Sequence, residues 1–184
     1  MKNSTYNLIV MVLVLVIVIG GGMLLYRNLS GSVDLGAMVP TEEISENAAP
    51  DVNIVDAEGN AVKLSDFRGK GVVLNFWASD CGYCIAEMPH FQAAFEEYGE
   101  DVHFLMVNMS EAFGDSREDA AKVLADGGYT FPVYYDDFAE CAYGYGINAI
   151  PVTVFIDKDG NIVSYKTGMM NEADLQRRIL TILD

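Results

Sequence analysis

The stretch VLNFWASDCGYC, residues 73–84, decides both the fold and the chemistry. It begins within a continuous apolar run, Val72–Trp77, which is typical of a strand covered on both faces. After a short polar loop, large apolar residues recur at three- and four-residue steps from Cys81 to Tyr98, which predicts a helix. The sequence therefore places a C-x-x-C pair, Cys81 and Cys84, where a buried strand passes into a helix.

The position of this pair favours thiol–disulfide chemistry. Unsatisfied N–H groups and the helix dipole stabilise a thiolate at a helix N-terminus, so Cys81 is the predicted nucleophile. Cys84, one turn deeper, is the predicted resolving thiol, which breaks the mixed disulfide formed on Cys81. We expect these two cysteines to be the catalytic residues and to form a redox-active disulfide, with no further cofactor.

The same C-x-x-C spacing also forms half of many zinc sites. A four-cysteine zinc site needs a second pair, and the chain has three cysteines in all. Cys141 with His90 or His103 could complete a ligand set, but these residues form no clustered motif, so no metal site is predicted. Cys141 is expected to be a small buried apolar residue, with a regulatory or dimer-forming thiol as the alternative.

The segments around the pair alternate between strand and helix patterns. Strand, helix and strand followed by a hairpin and a closing helix predict a mixed sheet with helices on both faces. A second hairpin, with a glycine-containing turn, precedes the pair. The predicted elements beside the central strand and helix are the hairpin 52–64, the strand Val102–Met109, the helix Arg117–Asp126, the strand Phe131–Tyr135, the helix Ala139–Tyr145, the hairpin 152–166 and the helix Glu172–Leu183.

The N-terminus has a different character. Residues 8–26 carry no charge and approach the roughly 20 apolar residues that cross a bilayer, which predicts one transmembrane helix after a short cytoplasmic N-terminus, residues 1–7. A cleaved signal peptide is the alternative, although no A-x-A site follows the run. Residues 27–49 are predicted to be an acidic linker. We expect the domain 50–184 on the extracytoplasmic side of the cell membrane, held by this single span.

The overall charge excludes one class of partner. The chain has 27 Asp and Glu residues against 11 Lys and Arg residues, a net charge of −16. Such a surface repels phosphate backbones, and neither a basic stripe nor a nucleic-acid motif is present. Nucleic acid is therefore not expected as a partner.

Two motifs carry a resemblance to a known family. The first is the stretch 73–89, which continues the C-x-x-C segment through Glu87 to a proline; the second is YGINAIPVTVFID, residues 145–157. Together they resemble the membrane-anchored extracytoplasmic thiol–disulfide oxidoreductases of the TlpA/ResA type, within the redoxin superfamily. The resemblance covers residues 50–184. It implies a thioredoxin-like α/β fold in which the first hairpin is an N-terminal extension.

The resemblance also implies roles for individual residues. Pro151 matches the family's cis-proline, which sits against the C-x-x-C and, with Ile150, turns the backbone toward a docking substrate chain. The other residues expected to support the active site are Gly82, Tyr83, Glu87 and Trp77.

Three positions bear on how the site is tuned. Plain thioredoxins usually place a buried aspartate where this chain has Asn75, so a base that assists Cys84 must come from elsewhere. Glu87 is a candidate for that role, with a solvated or salt-bridged helix carboxylate as the alternative. Asp80 directly precedes Cys81, and its carboxylate should disfavour the thiolate.

The resemblance implies that the protein reduces disulfides in exported proteins, with apocytochrome c as one possible substrate and a membrane thiol transporter as the electron donor. The same C-x-x-C could instead serve a disulfide oxidase or isomerase, which only the reduction potential separates. A copper- or zinc-binding chaperone on the same scaffold is a further alternative.

Overall fold

The computed structural model describes residues 2–30, 47–109 and 113–183. The chain divides into two compact units, Met1–Glu43 and Ile44–Asp184. In the first unit, helix α1 spans Lys2–Ser30, and the side chains described are those of residues 10–24. Within the described part of the chain, no helix combines the length and the hydropathy that a bilayer crossing requires.

The second unit alternates strands and helices in the predicted order. Strand β3 and helix α2, which flank the C-x-x-C, span Gly71–Trp77 and Gly82–Tyr98. A 3₁₀ turn, Leu64–Phe67, leads into β3. The other elements are β1 (Asn53–Val55), β2 (Ala61–Lys63), β4 (Val102–Asn108), α3 (Arg117–Gly127), β5 (Val133–Tyr135), α4 (Glu140–Gly144), β6 (Val152–Ile156), β7 (Ile162–Thr167) and α5 (Glu172–Ile179).

The described strands form one mixed sheet in the order β2-β1-β5-β4-β3-β6-β7. β3, β4 and β5 run parallel, while β6 and β7 on one side and β1 and β2 on the other are antiparallel to their neighbours. The carboxyl ends of the three parallel strands therefore meet at one edge of the sheet, and the segment that enters β6 starts at the same edge. This edge is where the C-x-x-C lies.

The core lies in two layers, one on each face of the sheet. Successive residues of β3 alternate between the faces, so that Val73 and Trp77 belong to one buried cluster and Leu74 and Phe76 to the other. All seven residues of β3 are buried, as predicted for a strand covered on both faces. The first cluster takes its helical side chains from α2, α3 and α5, and the second includes residues from the segment around α4. Helices thus cover both faces, as predicted.

Several boundaries differ from the sequence-based expectation by one to four residues. The last three residues of the predicted linker, 47–49, pair with the β6–β7 turn: Ile162 donates to the Asn47 carbonyl at 2.8 Å and Ala49 N–H donates to Gly160 at 2.9 Å. The remainder of that linker from residue 31 lies outside the described residues. The closing helix ends at Ile179 rather than at Leu183.

Candidate active site

A tight turn delivers the first cysteine to helix α2. β3 ends at Trp77, and the Cys81 N–H donates to the Ala78 carbonyl at 3.2 Å, which closes a four-residue turn. Cys81 is the N-cap of α2, and the Cys84 N–H donates to Cys81 Sγ at 3.2 Å. The two sulfurs are joined in a disulfide. The predicted placement of the pair at a helix N-terminus is confirmed.

The two cysteines differ in exposure. Cys81 is partly exposed, whereas Cys84 is 1% exposed and packs in the buried cluster with Trp77 and Met88. Only the first sulfur can therefore be reached by a large disulfide substrate. The N-terminal N–H groups of α2 favour a thiolate there once the pair is reduced. This asymmetry fits Cys81 as the attacking thiol and Cys84 as the resolving thiol.

Glu87 lies one turn beyond Cys84, and it is buried rather than solvated. It is 1% exposed, and both of its oxygens accept hydrogen bonds: Oε1 from Asn75 Nδ2 at 3.0 Å and Oε2 from the Met170 N–H at 2.9 Å. The Asn75 amide also donates to Thr153 Oγ1 at 3.0 Å, across the β3–β6 pair. Asn75 therefore holds the Glu87 carboxylate in place beside β6.

The environment of Glu87 raises the pKa of its carboxyl group to near neutral pH. Burial raises the pKa of Glu87 from 4.5 to about 7, and the hydrogen bonds from Met170 and Asn75 oppose this rise only in part. Residues three apart on a helix lie on the same face, so Glu87 and Cys84 both point into the core beneath the disulfide. A carboxyl group with this pKa can hold or accept a proton at neutral pH.

The loop that enters β6 completes the edge of the site. The Ile150–Pro151 peptide bond is cis, as the resemblance implied. Val152, the next residue, pairs with Phe76 near the carboxyl end of β3, so the proline lies at the same edge as the disulfide. The Pro151 carbonyl accepts from the Gly168 N–H at 2.8 Å, while Ile150 is partly buried against both core clusters.

The remaining predicted support residues fall into two groups. Gly82 and Tyr83 are exposed on the first turn of α2, with Tyr83 72% exposed. Trp77 is fully buried, and within the described residues its Nε1 has no hydrogen-bond partner. It packs below the site as expected.

Cys141 and His103 lie apart from this arrangement. Cys141 is free and fully buried in the cluster on the opposite face of the sheet from Cys84. Burial, reinforced by the Asp136 carboxylate, raises the pKa of its thiol. His103 packs edge-on against Phe67. Among the described residues, no three His, Cys, Asp or Glu side chains are placed to hold a metal ion.

Some contacts at the site were not anticipated from the sequence. Asp115, in the loop before α3, accepts hydrogen bonds from both the N–H and the Oγ of Ser79, within the turn before Cys81. Thr153 and the Met170 N–H complete the surroundings of Asn75 and Glu87. The register of β3 against β6 would have brought Thr153 to Asn75, but no local motif marks Asp115 or Met170.

The profile of the redoxin family matches residues 44–179. The chain belongs to the redoxin family. This redoxin is 34% identical over 137 residues to the thiol-disulfide oxidoreductase ResA of Geobacillus thermodenitrificans, covering 74% of this chain and 76% of the relative. It is 32% identical over 134 residues to ResA of Bacillus subtilis, covering 72% of this chain and 73% of the relative. The family, the relatives and the Cys81–Cys84 pair identify a thiol–disulfide oxidoreductase.

Solved structures agree on the fold of this redoxin. The pneumococcal exposed lipoprotein thioredoxin from Streptococcus pneumoniae superposes with a TM-score of 0.61 at 30% identity, covering 71% of this chain and 98% of that chain. StoA from Bacillus subtilis superposes with a TM-score of 0.61 at 24% identity, covering 72% and 98% of the two chains, a likeness that bears on the fold alone. The thioredoxin-like α/β fold is confirmed.

Proposed function

We propose that this redoxin reduces disulfides in exported proteins on the extracytoplasmic side of a membrane, to which its N-terminal helix anchors it. The observation that carries the exchange chemistry is the buried Glu87, one turn beyond the buried resolving thiol Cys84. A reductase must deprotonate that thiol away from solvent in every cycle. The Glu87 carboxylate, with a pKa of about 7, is suited to accept the proton.

The proposed cycle begins with the reduced pair. The Cys81 thiolate attacks one sulfur of a substrate disulfide, and the other substrate sulfur leaves as a thiolate that takes up a proton. Glu87 then accepts the proton of the Cys84 thiol, and the new thiolate attacks Cys81 Sγ in the mixed disulfide. The bond between Cys81 and the substrate breaks, the second substrate sulfur leaves as a thiolate that takes up a proton, and the enzyme is left with the Cys81–Cys84 disulfide. Two electrons and two protons have passed to the substrate.

Return to the reduced form requires a thiol reductant. On the outer side of a membrane, a membrane thiol–electron donor fits this need, because exported proteins meet an oxidising environment there. The cis Ile150–Pro151 segment lies at the same edge as the cysteines and offers backbone for pairing with a substrate chain. Apocytochrome c, whose cysteines must be reduced before haem attachment, is one proposed substrate.

The proposed anchor rests on the composition and surface of α1. Residues 8–26 are uncharged. The described large apolar side chains of this helix are exposed, from 40% at Val10 to 71% at Leu24. Such a surface is stable in contact with lipid and costly in contact with water.

The experiment that tests this function traps the substrate. In cells that produce Cys84→Ala, mixed disulfides on Cys81 cannot be resolved and should accumulate with exported proteins. The matched control is the double variant Cys81→Ala, Cys84→Ala, which should capture none. Absence of any captured partner, or capture of cytoplasmic proteins alone, would contradict the proposal.

The reduction potential of the pair decides between the proposed reductase and its alternatives. A potential of about −250 mV or lower supports a reductase, and one of about −120 mV supports an oxidase. A metal-binding chaperone would instead show tight stoichiometric binding of copper or zinc by the reduced protein, lost in Cys84→Ser.

A further inference from the structure

The carboxylate of Asp115 connects three elements beside the redox pair. Its Oδ1 accepts from Ser79 Oγ at 2.5 Å and from the Ser116 N–H at 2.9 Å. Its Oδ2 accepts from the Ser79 N–H and from Asn108 Nδ2, each at 2.6 Å. Ser79 follows β3, Asn108 ends β4, and Ser116 is the N-cap of α3. Four donors therefore converge on one side chain that the redox chemistry described above does not use.

The partly buried Asp115 is held as an anion. Burial raises the pKa of its carboxyl group, but the hydrogen bonds from Ser79 and Asn108 outweigh this effect and leave the pKa below its usual value. Hydrogen bonds to an ionised acceptor are about twice as strong as those between neutral groups. The contact with Ser79 is thus stronger than an ordinary loop contact.

Ser79 lies in the turn that directly precedes Cys81. It is one of the two central residues of the turn that the Cys81 N–H closes onto the Ala78 carbonyl. Asp115 binds both the backbone and the side chain of this residue. The turn in turn sets Cys81 as the N-cap of α2, where its sulfur lies 3.2 Å from the Cys84 N–H.

We propose that Asp115 is a positioning residue for the redox pair: by fixing Ser79, it holds the turn that presents Cys81 to Cys84. The inference concerns the exchange between the two cysteines and rests on the thiol–disulfide activity, not on the direction or substrate proposed above. Asp115 acts through its hydrogen bonds to Ser79 rather than on a sulfur directly.

The consequence is a high effective concentration of one thiol at the other. Two thiols held in the geometry of their disulfide close it more readily than thiols on a loose loop, because less freedom is lost on closure. Release of the turn should therefore favour the dithiol over the disulfide. The measured reaction is the exchange of the reduced pair with glutathione disulfide, which yields the protein disulfide and two glutathione thiols.

A change in charge has to be separated from a change in geometry. Loss of the Asp115 anion would also favour the reduced form, because a nearby negative charge opposes the thiolate. Ser79→Ala removes one bond to Asp115 and alters no charge. Asp119→Asn removes a charge from the cleft that Ser79 and Asp115 line, but this residue pairs with Ser116 and not with Ser79.

The test is the equilibrium constant with glutathione for the full chain and these variants. We expect Ser79→Ala to shift it toward the dithiol by about threefold and Asp115→Ala by about tenfold. The double variant should shift it no further than Asp115→Ala alone, because both changes break the same contact. Asp119→Asn should stay within about twofold of the unmodified chain.

Two results would overturn the proposal. One is an equilibrium constant unchanged in both Ser79→Ala and Asp115→Ala, and the other is a shift in Asp119→Asn as large as that in Asp115→Ala. Circular dichroism and the melting temperature establish that each variant is folded. If Asp115→Ala does not fold, Ser79→Ala decides alone. Partner capture by Cys84→Ala is a separate measurement, so failure of one idea leaves the other open to its own test.

Discussion

At the scale of single residues, the burial of Glu87 sets the pH range in which the resolving step is fast. Its carboxyl group has a pKa of about 7 and accepts the proton of Cys84 only when ionised. We expect the rate of mixed-disulfide resolution to rise with pH through about 7 in the unmodified chain. In Glu87→Gln this rise should disappear, and the rate at pH 8 should fall about a hundredfold.

This rate can be followed in the protein as it stands. Trp77 is the single tryptophan and packs in the same buried cluster as Cys84, so its fluorescence reports single-turnover oxidation by a peptide disulfide. Glu97→Gln, at an exposed carboxylate on the same helix, is the matched control and should keep the unmodified pH profile. A retained step near pH 7 in Glu87→Gln would exclude Glu87 as the proton acceptor.

The same residue makes stability depend on pH in a definite direction. Between pH 4.5 and about 7, the folded chain keeps the Glu87 proton that the unfolded chain has released. Because the folded state binds more protons in this window, the free energy of unfolding falls as pH rises through it, by about 3 kcal/mol in all. Glu87→Gln should lack this fall and gain stability relative to the unmodified chain at pH 8.

Urea unfolding at pH 5 and pH 8 measures this effect. Glu97→Gln should show the same loss of stability between the two pH values as the unmodified chain. The lowered pKa of Asp115 affects stability in a different pH range. Its contribution to the free energy of unfolding is present above pH 3.8 and is lost as pH falls through the pKa of the folded state. A pH-independent difference between Glu87→Gln and the unmodified chain would show that the carboxyl group does not titrate in this range.

The exposed Asp80 carboxylate affects the proton affinity of the nucleophile, Cys81. It directly precedes Cys81 and opposes the thiolate that the helix N-terminus favours. We expect Asp80→Asn to lower the pKa of the Cys81 thiol. The thiolate absorbance titration in a Cys84→Ala background measures this shift, with Asp101→Asn as a distant control. An unchanged titration would show that the carboxylate is screened by solvent.

How far the sequence predicts the site depends on how local each contact is. Cys81, Cys84 and Pro151 stand within motifs, and Glu87 follows Cys84 at helical spacing, so each can be identified without coordinates. The contact between Asp115 and Ser79 spans 36 positions. It depends on where the loop after β4 turns back, and neither composition nor spacing fixes that path.

At the scale of elements, the central buried strand is predicted more closely than the end of the closing helix. β3 was predicted within one residue at its start, because a continuous apolar run has few alternative structures. Helix α5 stops at Ile179, although Ile182 beyond it is 1% exposed. The chain there passes over Gly71, where an added Cβ would lie 2.2 Å from the Ile182 carbonyl oxygen. A tertiary contact thus overrides the helical pattern.

Helix α4 places the third cysteine away from the redox pair. Cys141 lies in the core cluster on the face of the sheet opposite Cys84. Its thiol therefore cannot exchange with the Cys81–Cys84 disulfide unless the domain unfolds. We expect Cys141→Ala to leave the exchange rate unchanged and to lower the free energy of unfolding by about 1 kcal/mol through a small cavity. Single-turnover kinetics and urea unfolding measure the two quantities. A loss of turnover in the folded variant would restore a redox role for this thiol.

At the scale of the whole molecule, the chain joins a helix whose residues 8–26 are uncharged to a strongly acidic domain. The two compact units divide between Glu43 and Ile44, which makes their contributions separable. If α1 is an anchor, the full chain should sediment with membranes and be released by detergent but not by alkaline carbonate, because the helix would be surrounded by lipid. A chain that begins at Ile44 should remain in the soluble fraction and keep the same glutathione equilibrium.

The side of the membrane on which the domain lies can be determined separately, by labelling the Cys81 thiol in the Cys84→Ala variant. A membrane-impermeant maleimide should label this partly exposed thiol in intact cells if the domain faces outside. The buried Cys141, whose thiol has a raised pKa, should react only after denaturation and so serves as an internal control. Labelling that requires cell lysis would place the domain inside and contradict the proposed function. Recovery of the full chain in the soluble fraction would contradict the anchor but leave the redox chemistry of the pair intact.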